Sequence, residues 1–417
     1  DESASTALRS SSPQYLGPRR TKAHICYSRL HAEIMAKVLH RDLGFTDVDA
    51  TQTDDWDLIV GGYPHCGVGP RYEGNRYGWD WDMEYGLNRI LNERGWENLM
   101  PHQVYHPCMG CAATYCNKRE LCRILRDHVD PSYCYVLPDD LNRLKDAMST
   151  DKSKVWVMKK DAANVHIHVG RGVSFFSSLD ELPSEEELSN GMYLVQPWNE
   201  PFLGPGIFHR KSEMRAYVAI TSVYPLRAYV HEEMSVVLAA KEYTNSSEAM
   251  VDRCMADTHS STTGCESLIS REAQRVLRNL QFMNRAIYFH DYAEAVGWSN
   301  EQIAGLIKET HETISKVVQV GHEALKSHHI NRGIQSSGAS CFSWMRVDIG
   351  ITKDLKPFLF EFPEFFANYG TNTNAANTIR DLYKMIGLDQ SPLPPEERSK
   401  FESQNLGGWQ LLPNLDH

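Results

Sequence analysis

The sequence lacks long hydrophobic runs and lacks an excess of positive charge. No apolar stretch approaches the roughly 20 residues that a membrane-crossing helix needs, so we expect no transmembrane segment in the 417 residues. Lys and Arg number 43 against 54 Asp and Glu, which gives a net charge of −11. General nucleic-acid binding requires a basic face that releases phosphate counterions. We therefore expect no nucleic-acid partner.

Cysteine is present at ordinary usage, with 10 residues in the chain, and this number does not predict a disulfide scaffold. Five of the cysteines lie within 108–134. A zinc site needs two ligand pairs separated by a loop long enough to fold back, and the gaps around Cys116 are too short for that. We interpret the cluster as buried thiols or a local disulfide, with zinc as the lesser alternative.

Strand-like and helix-like segments alternate near the start of the chain. The patterns predict strands over 23–27 and 56–60 and a helix over 30–39, and this order is typical of an α/β domain. Apolar residues recur at helical spacing over 270–297 and 300–328, which predicts two long helices. We expect the α/β class, with two or three subdomains in a chain of this length.

A lysine at the end of a predicted strand precedes a glycine turn. The strand is Val155-Trp156-Val157-Met158-Lys159, and the turn is Gly170-Arg171-Gly172. A lysine can neutralise phosphates, while the N–H groups of a glycine turn approach them closely. A single strand lysine is more often a solvated surface residue, so the order of strand, lysine, turn and strand carries the prediction. We predict that Lys159, Gly170, Arg171 and Gly172 contact a nucleotide.

A second pattern follows a predicted strand that ends at Gln196-Pro197-Trp198. Such a linker strand can offer backbone hydrogen-bonding groups to an adenine edge between apolar faces. Further along, Lys211, Glu213 and Arg215 alternate on one strand and therefore share a face. Glu213 could hold ribose hydroxyls while the two cations hold phosphates. The alternative is a surface strand with alternating charge.

Two acids form the third pattern. Asp348 and Glu361 lie on two predicted strands around the turn Thr352-Lys353-Asp354-Leu355, so a hairpin would bring them side by side. Buried like charges repel strongly unless a cation lies between them. Mg²⁺ is commonly held by one or two carboxylates together with substrate phosphates. We predict that the pair binds Mg²⁺, the alternative being two acids that never meet.

Together these motifs resemble the tubulin tyrosine ligase-like family of the ATP-grasp superfamily. Its K-F-D-I-R pattern is similar to Lys211–Arg215 with Glu213 in place of Asp, and its F-D-x-x-x-D-x-x-x-x-P-W-L-L-E-V-N hairpin matches the spacing of Asp348 and Glu361. The family's x-x-K-x-x-L, whose lysine reaches the nucleotide, is similar to residues 116–121. The resemblance therefore implies a nucleotide-binding role for Lys118.

The fold that this resemblance implies is an ATP-grasp core, in which two α/β subdomains grip ATP, with a small N-terminal α/β domain. We divide the chain into a loose segment 1–20, an N-terminal α/β domain 21–110, a central ATP-grasp subdomain 111–195, a C-terminal ATP-grasp subdomain 196–390 and a tail 391–417.

The implied activity is that of an ATP-dependent carboxylate–amine ligase. It would join an amino acid (Tyr, Glu or Gly) to a protein or peptide acceptor, tubulin included, through an acyl phosphate, with ATP and Mg²⁺ as cofactors and Lys211 and Arg215 as catalytic residues. The alternatives are a non-catalytic nucleotide- or partner-binding member of the same fold, or a ligase for small molecules or peptides. We expect a cytoplasmic, cytoskeleton-associated protein. A start at Asp1 in place of Met leaves open a lost signal and a lumenal location.

Two positions depart from the family pattern. The amide that follows the metal-binding Glu by two residues is Pro363 here, and the family's phosphate-binding arginine falls on Val237. The segment H-L-T-N is only loosely matched by Ala256-Asp257-Thr258-His259. By sequence, the nearest replacements for the missing groups are Glu364, Asn368 and Arg227. We expect ATP binding to survive these changes and turnover to be slow or specialised.

Overall fold

The computed structural model contains three β-sheets and the helices that pack on them. It describes residues 15–25, 32–50, 52–60, 91–92, 94–160, 168–169, 172–190, 193–244, 248, 252–256, 258, 265, 286–363 and 373–415. The mixture of sheets and helices confirms the predicted α/β class.

The N-terminal sheet is parallel throughout, with strand order β14-β4-β3-β1-β2. Its strands are β1 (Lys22–Ile25), β2 (Thr46–Asp47), β3 (Leu58–Val60), β4 (Val104–His106) and β14 (Ser340–Cys341). Parallel sheets are normally covered on both faces, and all three residues of β3 are buried. The edge strand β14 comes from the far end of the chain. This sheet is therefore not built from the 21–110 segment alone.

The central sheet has the order β5-β9-β6-β8-β7 and is antiparallel except between β7 and β8. Its strands are β5 (Tyr135–Leu137), β6 (Trp156–Lys160), β7 (His168–Val169), β8 (Gly172–Phe176) and β9 (Tyr193–Pro197). A separate hydrophobic core, with Trp156, Phe176 and Val195 among its members, lies against this sheet. This core covers one face of the sheet, while Val136 of β5 and Leu194 of β9 belong to the main core.

The C-terminal sheet is antiparallel and is organised around the long strand β10, which pairs with three neighbours. Its strands are β10 (Ser212–Val223), β11 (Leu226–His231), β12 (Ser235–Leu238), β13 (Ala286–Tyr288), β15 (Ser343–Ile351), β16 (Pro357–Glu361) and β17 (Trp409–Leu411). All nine residues of β15 are buried. A strand with neighbours on both sides and packing on both faces has little freedom, so side chains on β10 and β15 are held firmly.

Helices cover the three sheets. They are α1 (Ala32–Lys37), α2 (Lys118–His128), α3 (Leu141–Thr150), α4 (Glu185–Asn190), α5 (Arg253–Ala256), α6 (Phe289–Ala295), α7 (Asn300–Asn331), α8 (Thr373–Met385) and α9 (Pro395–Gln404). The predicted helix over 300–328 is confirmed by α7, which starts with a capping box in which Ser299 and Gln302 satisfy each other's backbone N–H groups. Among the described helices, none combines the length and the apolar character that crossing a bilayer would require.

Two segments differ from their predicted structure. Residues 286–288, predicted as part of a helix, form β13 and pair with β12, because Ala286-Ile287-Tyr288 can bury alternate side chains on a sheet edge as well as in a helix. The same prediction is confirmed over 289–295, which form α6, and its part over 270–285 lies outside the described residues. The segment 391–417, expected as a tail, contributes α9 and β17, and the fully buried Trp409 joins the core.

Three disulfide bonds link cysteines of the described chain. They are Cys108–Cys341, Cys122–Cys134 and Cys254–Cys265, with Cα–Cα distances of 5.0, 5.9 and 5.6 Å. A local disulfide was one of the two interpretations of the 108–134 cluster, and Cys122–Cys134 is such a bond. The expectation that the cysteines build no disulfide framework is wrong. One of the bonds, Cys108–Cys341, connects cysteines that lie 233 residues apart and that only the fold brings together.

The first prediction concerns a buried acid at the end of α9. Glu402 accepts hydrogen bonds from Thr221, Arg227 and Tyr229 at 2.8–3.0 Å and is 3% exposed. Replacing it (Glu402→Ala) leaves the Arg227 guanidinium buried without its ionic partner, and we expect a loss of about 3–5 kcal/mol in the free energy of unfolding.

Urea titration of the purified protein measures that loss. The control is Glu312→Ala on α7, which removes an exposed ion pair with Lys308 and should cost less than about 1 kcal/mol. Equal effects of the two substitutions would contradict the prediction.

Candidate functional site

The two predicted metal-binding acids face each other across a β-hairpin. Asp348 on β15 is paired directly with Glu361 on β16, and a bulge follows, since Ile349 pairs with Leu359. Directly opposed residues of an antiparallel pair project from the same face of the sheet. The structure therefore brings the two carboxylates to one face, as the hairpin prediction required. Their role as cation ligands stays a prediction.

The Asp348 carboxylate is held by an arginine that the sequence analysis missed. Arg346, two residues earlier on the same strand, donates from Nε and Nη2 to the two carboxylate oxygens, both at 2.6 Å. Burial alone would lower the pKa of Arg346, but the charge of Asp348 outweighs it and raises this pKa above its usual value. The signal was available, because a strand places residues i and i+2 on the same face.

The neighbouring strand β10 continues this row of charges. Arg215 is paired with Asp348, and its Nε lies 3.7 Å from Asp348 Oδ1. The Nη2 of Arg215 lies 3.6 Å from Glu213 Oε1, and Thr258 donates its hydroxyl to Glu213 Oε2 at 3.0 Å. The loosely matched segment that contains Thr258 therefore does reach the site. Cations and acids alternate here in a region almost closed to solvent.

Two lysines reach the same region from different sheets. Lys159, on β6, donates to Gln196 Oε1 at 3.1 Å. Lys211 lies directly before β10 and donates to the Ala256 carbonyl at 2.8 Å. Burial lowers the pKa of Lys159 to about 8, and the neighbouring Lys118 acts in the same direction. A buried amine with a lowered pKa beside other cations is typical of a site that receives an anion.

The aromatic ring of Phe360 separates these two lysines. Its centroid is 5.7 Å from Lys159 Nζ and 5.3 Å from Lys211 Nζ, and Lys211 Nζ is also 5.4 Å from the centroid of the Trp198 ring. Phe360 is the extra residue of the β16 bulge. A Cβ atom at Gly350 would lie 2.5 Å from the Phe360 ring, so only glycine permits this close approach. Cation–π contacts of this kind stabilise charges in a partly desolvated site.

Lys118 reaches the site from the first turn of α2. Its Nζ lies 2.8 Å from Glu361 Oε2. The side chain of Asn117 caps this helix by accepting from two backbone N–H groups, which fixes where the helix begins and so where Lys118 points. The residues of this charged cluster come from four separate regions of the sequence: Lys118, Lys159, Lys211, Glu213, Arg215, Arg346, Asp348 and Glu361.

Several predicted residues lie at the edge of this cluster or outside it. Gln196 and Pro197 end β9, and Gly172 begins β8. Gly170 and Arg171 lie outside the described residues, as do the suggested metal ligands Glu364 and Asn368. Val237 is buried directly opposite Glu213.

Arg227 is the suggested replacement for the missing positive charge, and this suggestion is wrong. The Nε and Nη2 atoms of its guanidinium group both donate to the Glu402 carboxylate. Arg346 lies in the charged cluster in its place.

The composition of the charged cluster suits a phosphate ligand with a divalent cation. Its cations outnumber its acids, with Lys118, Lys159, Lys211, Arg215 and Arg346 against Glu213, Asp348 and Glu361. Its acids offer only oxygen donors, which are the ligands that Mg²⁺ prefers. Within the part of the chain that the structure describes, no group of three or more His, Cys, Asp and Glu residues could hold a metal ion. A cation here would therefore complete its shell with phosphate oxygens and water.

Comparison with known proteins finds similarity to relatives named as tubulin polyglutamylases and a tubulin monoglutamylase. The tubulin polyglutamylase TTLL6 of Mus musculus is 25% identical over 276 residues, covering 64% of this chain and 31% of that protein. The tubulin polyglutamylase TTLL13 of Homo sapiens is 25% identical over 280 residues, covering 65% and 32%. The tubulin monoglutamylase TTLL4 of Mus musculus is 23% identical over 259 residues, covering 61% and 20%. The chain spans a third or less of the length of these relatives.

A family model gives the wider assignment. The model described as the tubulin-tyrosine ligase family matches residues 108–375, a range that contains every residue of the charged cluster. Because the match covers more than half of the chain, the protein belongs to the tubulin-tyrosine ligase family, and its α/β core is an ATP-grasp fold.

Proposed function

We propose that this protein is an ATP-dependent carboxylate–amine ligase that joins an amino acid to a protein or peptide acceptor. The observation that carries the proposal is the convergence of Lys118, Lys159 and Lys211 on the cross-strand acids Asp348 and Glu361. A surface strand with alternating charge, the alternative considered for 211–215, would not be buried. Glu213 and Arg215 are 5% and 7% exposed.

The nucleotide would bind between the central and C-terminal sheets. In this proposal the backbone of Gln196, Pro197 and Trp198 faces the adenine, and Glu213 holds the ribose. Lys159, Lys211 and Arg215 then hold the phosphates. The protein's cations at present neutralise the protein's own acids, so a phosphate ligand would exchange one set of ion pairs for another. Such an exchange costs less than burying a charge without a partner.

The acids of the hairpin fit a magnesium site. Asp348 and Glu361 offer carboxylate oxygens from one face of the sheet, and both now pair with protein cations, Arg346 and Lys118. Mg²⁺ bound there would neutralise charge on the phosphate oxygens. Arg346 would then share Asp348 with the ion, and Lys118 would be released from Glu361 to contact a phosphate.

The proposed reaction has two steps. A carboxylate oxygen of one substrate attacks the γ-phosphorus of ATP, the bond to the bridging oxygen breaks, and an acyl phosphate and ADP form. The amino group of the second substrate then attacks the acyl carbon, loses a proton, and expels inorganic phosphate as the amide forms. Lys211 and Arg215 would stabilise the charge that develops on the transferred phosphoryl group, which is usually a major part of catalysis.

The acceptor class follows from the relatives' names alone. Those proteins are polyglutamylases and a monoglutamylase of tubulin, so a protein side chain or tail is the expected acceptor and an amino acid the expected co-substrate. Tubulin is one candidate, and a cytoplasmic location would accompany it.

A second candidate is a non-catalytic nucleotide-binding protein of the same fold. It is favoured by Val237 and Pro363, which stand where the family has an arginine and an amide, and by the double hydrogen bond between Arg346 and Asp348. Both Asp348 oxygens are used in that bond. If this arrangement persisted with ATP bound, the cation site would be incomplete and phosphoryl transfer would be slow.

Two measurements separate these functions. Calorimetry with ATP, with and without Mg²⁺, tests for nucleotide binding. ADP release in the presence of single amino acids, with and without acceptor peptides, tests for ligation. Release that requires both an amino acid and a protein acceptor supports the ligase, and binding without release supports the second candidate. Release driven by free amino acids alone would indicate a small-molecule ligase.

Substitution of the two lysines between the sheets tests the phosphate site. We expect Lys159→Ala and Lys211→Ala each to weaken ATP binding by about 1.5–3 kcal/mol, because each removes a charged hydrogen-bond donor. The matched control is Lys160→Ala, the next residue on β6, whose side chain is exposed. Calorimetry measures the three dissociation constants. Wild-type affinity in both site variants would place the phosphates elsewhere.

The lowered pKa of Lys159 makes a separate prediction about pH. Since this pKa is about 8, the amine is charged at neutral pH and loses its proton as the pH rises past that value. We expect ATP affinity to fall by up to about tenfold per pH unit above the pKa. The variant Lys159→Arg should bind ATP without this dependence, because arginine stays charged. Parallel pH profiles for the two proteins would rule out Lys159 as the titrating group.

Arg346 can be tested as the group that competes with a cation for Asp348. Arg346→Met leaves Asp348 buried with only the more distant Arg215, and we expect a loss of about 3 kcal/mol in the free energy of unfolding. Added Mg²⁺ should raise the unfolding temperature of this variant more than that of the wild type, because a ligand of the native state stabilises it. The control is Arg346→Lys, which keeps a charge. No response to Mg²⁺ in either protein would argue against a cation at Asp348.

A further inference from the structure

The three disulfide bonds lie beside the charged cluster. Cys108–Cys341 joins segments 233 residues apart. One of these segments leads into α2 and Lys118, and the other directly precedes β15, which carries Arg346 and Asp348. The backbone N–H of Cys108 also donates to the hydroxyl of Ser343 at 3.0 Å. This bond therefore fixes α2 relative to the strand that carries the acid.

The second bond acts on the other side of Lys118. Cys122 lies one helical turn after Lys118 on α2 and is bonded to Cys134, just before β5. The preceding residue, Tyr133, donates its hydroxyl to the Leu359 carbonyl of β16 at 2.8 Å, and its ring stacks on Phe358 at 4.4 Å. The bond therefore connects α2, through Tyr133, to the strand that carries Glu361.

The third bond encloses two direct partners of the cluster. Cys254–Cys265 closes a loop with a sequence separation of 11 residues. Inside that loop lie Ala256, whose carbonyl accepts from Lys211, and Thr258, whose hydroxyl donates to Glu213. A short disulfide loop limits how far these two partners can move from the residues that they orient.

We propose that this protein acts in an oxidising compartment, that its site takes its shape only when these disulfides are formed, and that its acceptor is a protein exposed in that compartment. Disulfides persist in the secretory pathway and outside the cell and are rare in the cytosol, where thiols are kept reduced and where tubulin resides. Three such bonds placed at one site are expected of a protein that never meets the reducing cytosol in its active state. The inference that the acceptor is a protein in that compartment rests on the proposed ligase function.

Peptide mapping without reduction tests whether the three disulfide bonds are formed. The protein is produced through a secretory route, alkylated, digested and analysed by mass spectrometry. We expect linked peptides for all three pairs. Alkylated thiols at Cys122, Cys134, Cys254 and Cys265 in this protein would overturn the proposal.

Reducing the disulfide bonds tests whether nucleotide binding at the charged cluster depends on them. After treatment with a phosphine reductant, we expect a lower unfolding temperature and an affinity for ATP with Mg²⁺ weaker by about tenfold or more, which is the size expected when even one hydrogen bond to a charged group is lost. The double variant Cys254→Ala/Cys265→Ala should lose nucleotide affinity while keeping most of its stability. The variant Lys308→Ala, on the exposed face of α7, serves as a control whose response to reduction should match the wild type. Unchanged affinity after reduction would overturn the dependence on disulfides.

Two further experiments, protease protection in cells and ADP release with a tubulin peptide, test in which compartment the protein lies and whether tubulin is its acceptor. In cells that express the natural protein, after the plasma membrane alone has been opened with digitonin, we expect the protein either to resist added protease until a second detergent opens the internal membranes or to be recovered from the medium. A tubulin-tail peptide in reducing buffer should not stimulate ADP release. A freely digested protein, or release driven by that peptide, would overturn the proposal. If the oxidised protein binds no ATP at all, the proposed ligase function fails, while the peptide map and the unfolding temperatures still decide on the oxidised framework.

Discussion

The buried ion pair between Arg346 and Asp348 constrains the rest of the site. Asp348 is 1% exposed, and an ionised carboxylate at that depth is strongly unfavourable unless cations and hydrogen bonds compensate it. Arg346 supplies two hydrogen bonds, and Arg215 approaches from the neighbouring strand. The registers of β10, β15 and β16 must then be held, because a shift of one residue would send Asp348 to the other face.

This network also explains how a site rich in like charges can exist before a ligand arrives. Lys118 is paired with Glu361, and Lys211 is held by a carbonyl and two aromatic rings. These two lysines are stabilised by weak or exchangeable contacts, in contrast to the enclosed ion pair of Arg346 with Asp348. In the proposed function, a phosphate chain with its cation would replace these contacts one by one. Burial lowers the pKa of Lys159 to about 8, which indicates that the charge of this amine is not fully compensated, so in the proposed function an anion beside it would be stabilising.

Sequence reasoning succeeded where the determining contacts are local. The hairpin that opposes Asp348 and Glu361 could be predicted because a short turn joins two complementary strands, and α7 because its apolar residues recur at helical spacing over many turns. Long-range contacts gave no such signal. Neither the pairing of β14 with the N-terminal sheet nor the bond between Cys108 and Cys341 has any signature in the spacing of residues. Arg346 was overlooked for another reason, since the family pattern that drew attention to Asp348 begins one residue after Arg346.

The departure at Val237 can be understood from the position of that residue in the sheet. Val237 faces Glu213 from β12, on one side of β10, while Arg346 lies on β15, on the other side. Arg346 therefore supplies a positive charge to the cluster, but from the strand on the opposite side of β10, and its guanidinium group is bound to Asp348. Binding of a polyanion depends mainly on the sum of nearby charges and tolerates such a displacement. Phosphoryl transfer depends on where each charge lies relative to the oxygens that gain charge, so in the proposed function we expect the same displacement to lower turnover far more than affinity.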